Sequence, residues 1–307
     1  MNESLGVKLP ITVIIAVKNE ERNLLKCLQS LNPAEKVIVI DSHSCDATAD
    51  ISRTYGAEFV QFKYNGEYPK KRQWALNNLK INSSWILLID ADEVVTRKLW
   101  DEIDKSIKSP NAADGYMIKK DFYFLGSRMN FGGFSFFVTL LFRNGKGRFE
   151  QLCNNFGTDM DMEVHERIIV DGKVEKLSCP LIHEDFKNLS EYIGRHNNYS
   201  TWEANLRYQY LATGYYGINC IQSRLFGNTQ ERRRWLKRLI MLLPFEHWIW
   251  FFYHYLLCLG ILEGRRGLIV CQIRANYIKE VNAKIFELKN LYNKKNTKDK
   301  ILKKDSL

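Results

Sequence analysis

No C-x-x-C pair occurs anywhere in this 307-residue chain. Its seven cysteines (Cys27, Cys45, Cys153, Cys179, Cys220, Cys258 and Cys271) are scattered and odd in number. That argues against a disulfide framework and a structural zinc site, and it suits a reducing compartment. The opening "MNESLGVKLP" has no basic start followed by an apolar run, so no secretory signal is expected. There is no internal repeat and no motif that reads RNA or DNA, so no nucleic-acid partner is expected. What the chain has in excess is positive charge. The formal net charge is +10 and the pI about 9.1, which points to an anionic partner such as nucleic acid, anionic lipid or a phosphorylated small molecule. A hydrophobic content of 45% and a charged content of 26% suit a globular protein with a sizeable core.

The first hundred residues alternate in rhythm. "ITVIIAV" (11–17) is a continuous apolar, β-branched run, expected as a strand buried on both faces. In "KNEERNLLKCLQSL", Leu24, Leu25, Leu28 and Leu31 recur at helical spacing, with Asn19 as a candidate cap. "KVIVI", "EFVQF" and "SWILLI" read as further strands, separated by one helix closed at Gly56 and another in "YPKKRQWALNNLK". Strands alternating with helices predict βαβ units: an α/β fold with a mostly parallel, Rossmann-like sheet and helices on both faces. From about 115 to 185, aromatic and β-branched stretches suggest antiparallel strands and loops, and after 188 the chain reads mainly helical.

The basic stretch "ERRRWLKR" (231–238) precedes "LIMLLPFEHWIWFFYHYLLCLGIL" and "EGRRG". The cleanest apolar part, Trp248 to Leu262, spans roughly 22 Å as a helix. A bilayer core is about 30 Å thick. Pro244, Glu246, His247 and His254 also interrupt the run. One or two helices lying in the interface of an anionic membrane surface are expected, not a span; a buried helical hairpin is the alternative. The closing "KNLYNKKNTKDKILKKDSL" reads as a Lys-rich solvated tail.

In open α/β sheets, ligands bind beyond the carboxyl ends of the strands. On that edge fall Ala16 to Glu20 (with Lys18), Asp41, the basic Lys71 and Arg72, and Asp90 and Asp92. Two carboxylates flanking one small residue suit a hard divalent ion, Mg²⁺ or Mn²⁺, which completes its shell with phosphate oxygens. Lys71 or Arg72 can then face the anion. Alone, D-x-D is a weak signal, since it occurs by chance in many proteins as a solvated turn or helix cap; its place after a fourth buried strand raises its interest.

"ITVIIAVKNEERNLLKCLQSL", "VIVIDSHSCDATADI", "KKRQWAL" and "WILLIDADE" resemble, in order and spacing, the nucleotide-binding half of the family 2 inverting glycosyltransferases over about residues 11–100. "VHERIIVDGKVEKLSCPLIHEDFKNLSEYIGRHNNYS" and "GILEGRRGL" resemble the lipopolysaccharide-core glucosyltransferase branch, extending the likeness to about residue 280. The resemblance implies a GT-A fold, a nucleotide-sugar donor, usually UDP-linked, and a lipid-linked or other saccharide acceptor. It implies that Ala16, Lys18, Glu20, Asp41, Lys71, Arg72 and Asp90 serve the nucleotide-sugar. Asp41 would recognise uridine, and Asp90, Asp92 and His183 would lie at the metal. The usual "DSGSTD" has His43 for Gly and Cys45 for Thr here, so nucleoside contacts in that loop could differ; His43 is read as a surface loop residue.

Inversion needs a group to take the acceptor hydroxyl's proton. Candidates are Asp159, Asp161, Glu163, His165, Glu166, His183, Glu184 and Asp185. By position in the family pattern, "VHE" favours Glu166 as base, with Asp185 and Glu184 in reserve. "NFGGFSFF" is a candidate acceptor wall or a plain turn. The expected organisation is a catalytic domain over 1–187, a helical membrane-interface region over 188–285 and a tail over 286–307. The expected location is cytoplasmic, peripheral on the inner face of the membrane. Two alternatives stand beside this reading. One is a sugar-phosphate nucleotidyltransferase, weakened because "AVKNEERN" lacks a Gly-rich phosphate loop. The other is a membrane-docking nucleotide-binding protein without transferase activity, which predicts loss of the strand-end carboxylates.

Overall fold

The computed structural model describes residues 8–152, 161, 163, 166–184, 188–214, 217–218, 220–227, 229–241, 243 and 245–304, without the side chains of 218, 229 and 291–304. They form two compact units. The first takes residues up to 130, 134–150 and those described between 161 and 184; the second takes 131–133, 151–152 and the described residues from 188 onward.

The first unit begins with β1 (Leu9–Val17), α1 (Glu21–Gln29), β2 (Ala34–Asp41), α2 (Thr48–Thr54), β3 (Glu58–Gln61), α3 (Lys71–Asn78) and β4 (Trp85–Asp90). It continues with β5 (Glu93–Val94), α4 (Arg97–Lys108), β6 (Gly115–Phe124), β7 (Ser127–Arg128), β8 (Phe136–Arg143) and β9 (Gly147–Phe149). After β10 (Gln151–Leu152), which belongs to the second unit, come β11 (Ile168–Val170), β12 (Val174–Lys176) and β13 (Leu181–His183). The main sheet runs β3-β2-β1-β4-β8-β6-β13-β5. The expected βαβ alternation accounts for β1 to β4, which pair in parallel.

The sheet is mixed, not mostly parallel. β8 runs antiparallel to both β4 and β6, and β5 antiparallel to β13, while β13 and β12 pair with β6 in parallel. The reason is connection length. β6 reaches β8 through β7 and a short loop, and a short return reverses direction, whereas a parallel neighbour needs a long crossover.

β1 is buried on both sides, as its unbroken apolar run requires. Ile11, Val13, Ile15 and Val17 join one core with Leu24 and Leu28 of α1 and with Leu99, Trp100 and Ile103 of α4. Ile14 joins the opposite core with Ile38, Ile40, Ile86, Leu88 and Ala75 of α3. Helices thus cover both faces. Asn19 does not cap α1; its backbone is left-handed (φ 56) and its side chain accepts the N–H of Cys45 at 2.9 Å, tying the loop after β1 to the loop after β2.

The second unit contains α5 (Leu189–Thr213), β14 (Gly217–Ile218) paired with β10, α6 (Thr229–Ile240), α7 (Glu246–Phe252), a π-helical turn Tyr253–Leu257, a 3-10 turn Gly260–Glu263 and α8 (Gly264–Lys304). The expected tail is instead helical through Lys304, since no glycine or proline after Gly267 interrupts α8. No helix among the described residues is long and apolar enough to cross a membrane.

A buried ionic knot joins four helices of this unit. Arg207 of α5 is 1% exposed and donates to Glu203 at 2.8 Å and to Glu246 of α7 at 2.8 and 3.1 Å. Tyr277 of α8 donates to Glu203 at 2.6 Å, and Lys237 of α6 pairs with the same carboxylate at 2.7 Å. Burial opposes the Arg207 charge, but Glu203 and Glu246 outweigh it and push the guanidinium towards protonation. Removing one partner of such a set strands a buried charge. Arg207→Met is therefore expected to destabilise the protein by about 3–5 kcal/mol in chemical denaturation. A loss below about 1 kcal/mol would show the knot to be incidental.

Candidate active site

The sheet register brings the strand ends together. Val17 of β1 lies opposite Asp41 of β2, and Ala16 lies opposite Asp90 of β4. Neighbouring strands are about 4.8 Å apart, so Asp41, the end of β1 and Asp90 form one short row. Beyond it, the loops after β1 and β2 are laced. Asn19 N–H donates to Ser44 Oγ at 2.7 Å, Glu20 N–H to Thr48 Oγ1 at 2.9 Å, and Glu21 N–H to Asp46 at 3.1 Å.

Asp41 is fully buried. Its carboxylate accepts the N–H and hydroxyl of Ser44 and, at 3.0 Å, the amide of Gln61. Three donors therefore already converge on a carboxylate closed to solvent. His43 sits two residues on, exposed and at φ 55. That left-handed backbone is easiest for glycine and tolerable for histidine, which accounts for the Gly-to-His departure in the loop. Lys18 is exposed, and Glu20 precedes α1, accepting from Asn23 at 2.8 Å.

The start of α3 sends three consecutive cations to three carboxylates. Lys70 meets Glu166 at 2.6 Å, both side chains being 3% exposed. Lys71 donates to the Val17 carbonyl at 2.8 Å and pairs with Asp161 at 3.0 Å. Arg72 pairs with Asp90. Burial pulls the Lys71 pKa below its ordinary value, and Asp161 only partly offsets this. Glu163 accepts the N–H of Arg72 at 3.1 Å and of Gln73 at 2.9 Å, capping α3 from a distant segment; burial pushes its carboxyl pKa up.

The two aspartates of D-x-D face different partners. Asp90 is held by Arg72 on one oxygen and by Lys120 Nζ, at 3.0 Å, on the other. Asp92 Oδ2 lies 3.7 Å from His183 Nε2, because β13 pairs with β5 so that His183 stands opposite Glu93. Glu184 N–H donates to the Asp92 carbonyl at 3.2 Å, and its side chain pairs with Lys26 at 2.7 Å. Asp92 and Glu184 line a cleft of about 370 Å³ with Arg22, Asn23, Lys26 and Tyr123 among its walls.

No group of three His, Cys, Asp or Glu able to hold a metal occurs among the described residues. Asp92 and His183 offer one oxygen and one nitrogen beside an open cleft. That fits a divalent ion that takes few protein ligands and keeps positions for phosphate oxygens. Asp90, with both oxygens on cations, stands apart from that pair.

Glu93 and Lys120 were not singled out from sequence. Glu93 is fully buried and accepts the Asp90 N–H at 2.8 Å. The signal for Lys120 was present in "GYMIKKDFYF", where charges interrupt a strand that is otherwise apolar. Asp159, His165 and Asp185 lie outside the described residues. Residues 131–133 of the candidate acceptor wall are bonded within the second unit: Gly132 N–H donates to the Cys258 carbonyl at 2.7 Å, and the Gly132 carbonyl meets His254 Nδ1 at 2.7 Å.

Residues 12–162 match the Glycosyl transferase family 2 model, so the chain carries a domain of that family. Its mixed sheet with helices on both faces is GT-A-like. Among curated relatives, the chain is 28% identical to the lipopolysaccharide core biosynthesis glycosyltransferase LpsC of Rhizobium meliloti, over 64% of this chain and 72% of that protein. It is 27% identical to an uncharacterized glycosyltransferase of Rickettsia typhi, over 63% of this chain and 66% of that one. Among solved structures, S. aureus TarS 1-349 matches 90% of this chain and 91% of its own, at 13% identity and a TM-score of 0.38. The glucosyl-3-phosphoglycerate synthase of Mycobacterium tuberculosis, solved with Mn²⁺, UDP and glucosyl-3-phosphoglycerate, matches 38% of this chain and 44% of its own at 21% identity and a TM-score of 0.31.

Proposed function

We propose that this family 2 glycosyltransferase moves a sugar with inversion from a UDP-linked donor to a lipid-linked or lipopolysaccharide-type acceptor at the cytoplasmic face of a membrane. The observation that carries the donor side is Asp92 against His183 at the carboxyl edge of the sheet, beside an open cleft. The relationship to LpsC supports the acceptor class. Asp41 and the strand-end loops receive the nucleoside, while Lys71 and Arg72 stand near the diphosphate. Asp92 and His183 would hold Mg²⁺ or Mn²⁺, which when bound offsets charge on the leaving diphosphate.

In the transfer, the acceptor hydroxyl oxygen bonds to the anomeric carbon as the bond from that carbon to the diphosphate oxygen breaks. The nucleoside diphosphate leaves, and the hydroxyl proton passes to a base. Glu166 is the proposed base. Its Oε1 now forms a buried pair with Lys70.

The membrane side rests on charge and exposure. Residues 188–307 carry 20 lysines and arginines against 9 aspartates and glutamates, whereas residues 1–187 carry 25 against 26. In the same region Phe226 is 97% exposed, Leu257 78% and Phe245 70%, with Trp248, Phe252 and Leu262 at least half exposed. Exposed apolar and aromatic groups beside Arg232, Arg233 and Arg238 suit the interface of an anionic leaflet.

Three outcomes test this reading. Asp92→Ala should keep the fold, abolish metal-stimulated donor turnover and weaken UDP-sugar binding; full activity in EDTA, or in that variant, rejects the metal pair. Glu166→Gln should retain donor binding while transfer falls by roughly two to four orders of magnitude; near wild-type transfer moves the base elsewhere, with Glu184→Gln the next variant to assay. Co-sedimentation should show binding to anionic vesicles that weakens as salt rises. Binding indifferent to both lipid charge and salt rejects the interfacial reading.

A further inference from the structure

The turn that ends β4 carries three acids within four residues, Asp90, Asp92 and Glu93. Left to itself such a turn would present all three to any cation nearby. Lys120, from the middle of β6 and only 8% exposed, prevents this. Its ammonium bridges Asp90 Oδ2 at 3.0 Å and Glu93 Oε1. Glu93 in turn accepts the Asp90 N–H at 2.8 Å, which closes the turn, and Arg72 takes the other Asp90 oxygen. Two cations and two carboxylates therefore balance as a quartet, and Asp92 is the acid of the turn that lines the cleft and faces His183.

From this balance we infer that Lys120 is a positioning residue of the donor site: it holds Asp90 as a counter-ion, so that Asp92 alone of the turn's acids serves a divalent cation, and it keeps the edge neutral enough to admit a diphosphate. The inference rests on the donor-site reading above. It makes a prediction of opposite signs. Without Lys120, Asp90 is released from one cation and the edge gains one negative charge. A bare divalent cation is then held more tightly, while an anionic nucleotide is repelled. A single charge acting over several ångströms at a part-exposed site corresponds to a change of about three- to tenfold in each direction. A purely structural role for Lys120 would loosen the turn and weaken both ligands together.

The experiment is calorimetric titration of the full chain with Mn²⁺ alone and, separately, with UDP in the presence of Mn²⁺. Lys120→Met should bind Mn²⁺ about three- to tenfold more tightly and UDP about three- to tenfold more weakly than the wild type, and Lys120→Arg should restore both. If Lys120→Met does not fold, Lys120→Met combined with Glu93→Gln removes one charge of each sign while still freeing an Asp90 oxygen. That variant should also bind Mn²⁺ more tightly than the wild type. Weakened or unchanged Mn²⁺ binding in whichever of these variants folds overturns the assignment of Lys120, as does failure of both to fold while Lys120→Arg folds normally. A wild-type chain that binds neither Mn²⁺ nor UDP overturns the donor-site reading itself, and the Lys120 role with it.

Discussion

The first turn of α3 is the interaction on which the rest of the site depends. Lys70, Lys71 and Arg72 are successive residues, yet their partners come from two places remote in sequence: Glu166 and Asp161 from the segment before β11, and Asp90 from the end of β4. A buried charge is tolerated only when paired, so each cation fixes one carboxylate as firmly as the carboxylate fixes it. The Asp161 carbonyl accepts the first N–H of α3, from Lys71, and Glu163 completes the arrangement by accepting those of Arg72 and Gln73; the helix has no capping side chain of its own. The helix thereby receives the negative charge that its N-terminus favours, and the acids of 161–166 gain a defined place at the sheet edge.

That edge exists because β1 is apolar on both faces. Burying Ile11, Val13, Ile15 and Val17 on one side and Ile14 on the other requires a helix layer on each face. The parallel neighbours of β1 then end at the same level, which aligns Asp41 and Asp90 without any direct bond between them. The second half of the sheet contributes differently. Because β6 and β8 meet antiparallel, β6 enters the sheet beyond β8 and delivers Lys120 to the acids at the end of β4. β13 brings His183 to Asp92 by pairing with β5. The mixed topology is therefore the means by which late segments reach the early strand ends.

This explains what was readable in the sequence. β1, β4 and the end of β2 were legible, because strands buried on both faces show as unbroken apolar runs, and α1 shows its leucines at helical spacing. The strand-end acids were legible for the same reason: once the strands are placed, their ends are placed. The mixed half was not. In β6 the charges at Lys119, Lys120 and Asp121 break the apolar pattern, and their partners, among them Arg128, Asp90 and Glu93, are contacts that no local period encodes. The division of D-x-D was hidden for a related reason. Spacing suggests that two acids one residue apart share a ligand; the cations around them decide whether they do. The motif points to Glu166 by position, whereas its burial against Lys70 is a fact of tertiary structure alone.

The basic pI, which first pointed to an anionic partner, does not describe the strand-end edge. There Lys70, Lys71, Arg72 and Lys120 are each matched to a carboxylate, and residues 1–187 as a whole carry nearly equal numbers of basic and acidic side chains. Cations matched in this way to carboxylates offer little net attraction for an anion at long range. The surplus lies after residue 188, in the region whose apolar side chains stand exposed around 226 and 245–262. Charge of that kind acts over about a Debye length and is weakened by salt, whereas the buried pairs of the edge are screened far less. The two kinds of positive charge in this chain therefore answer to different physical variables: ionic strength for the helical region, and the pairing of individual side chains for the site.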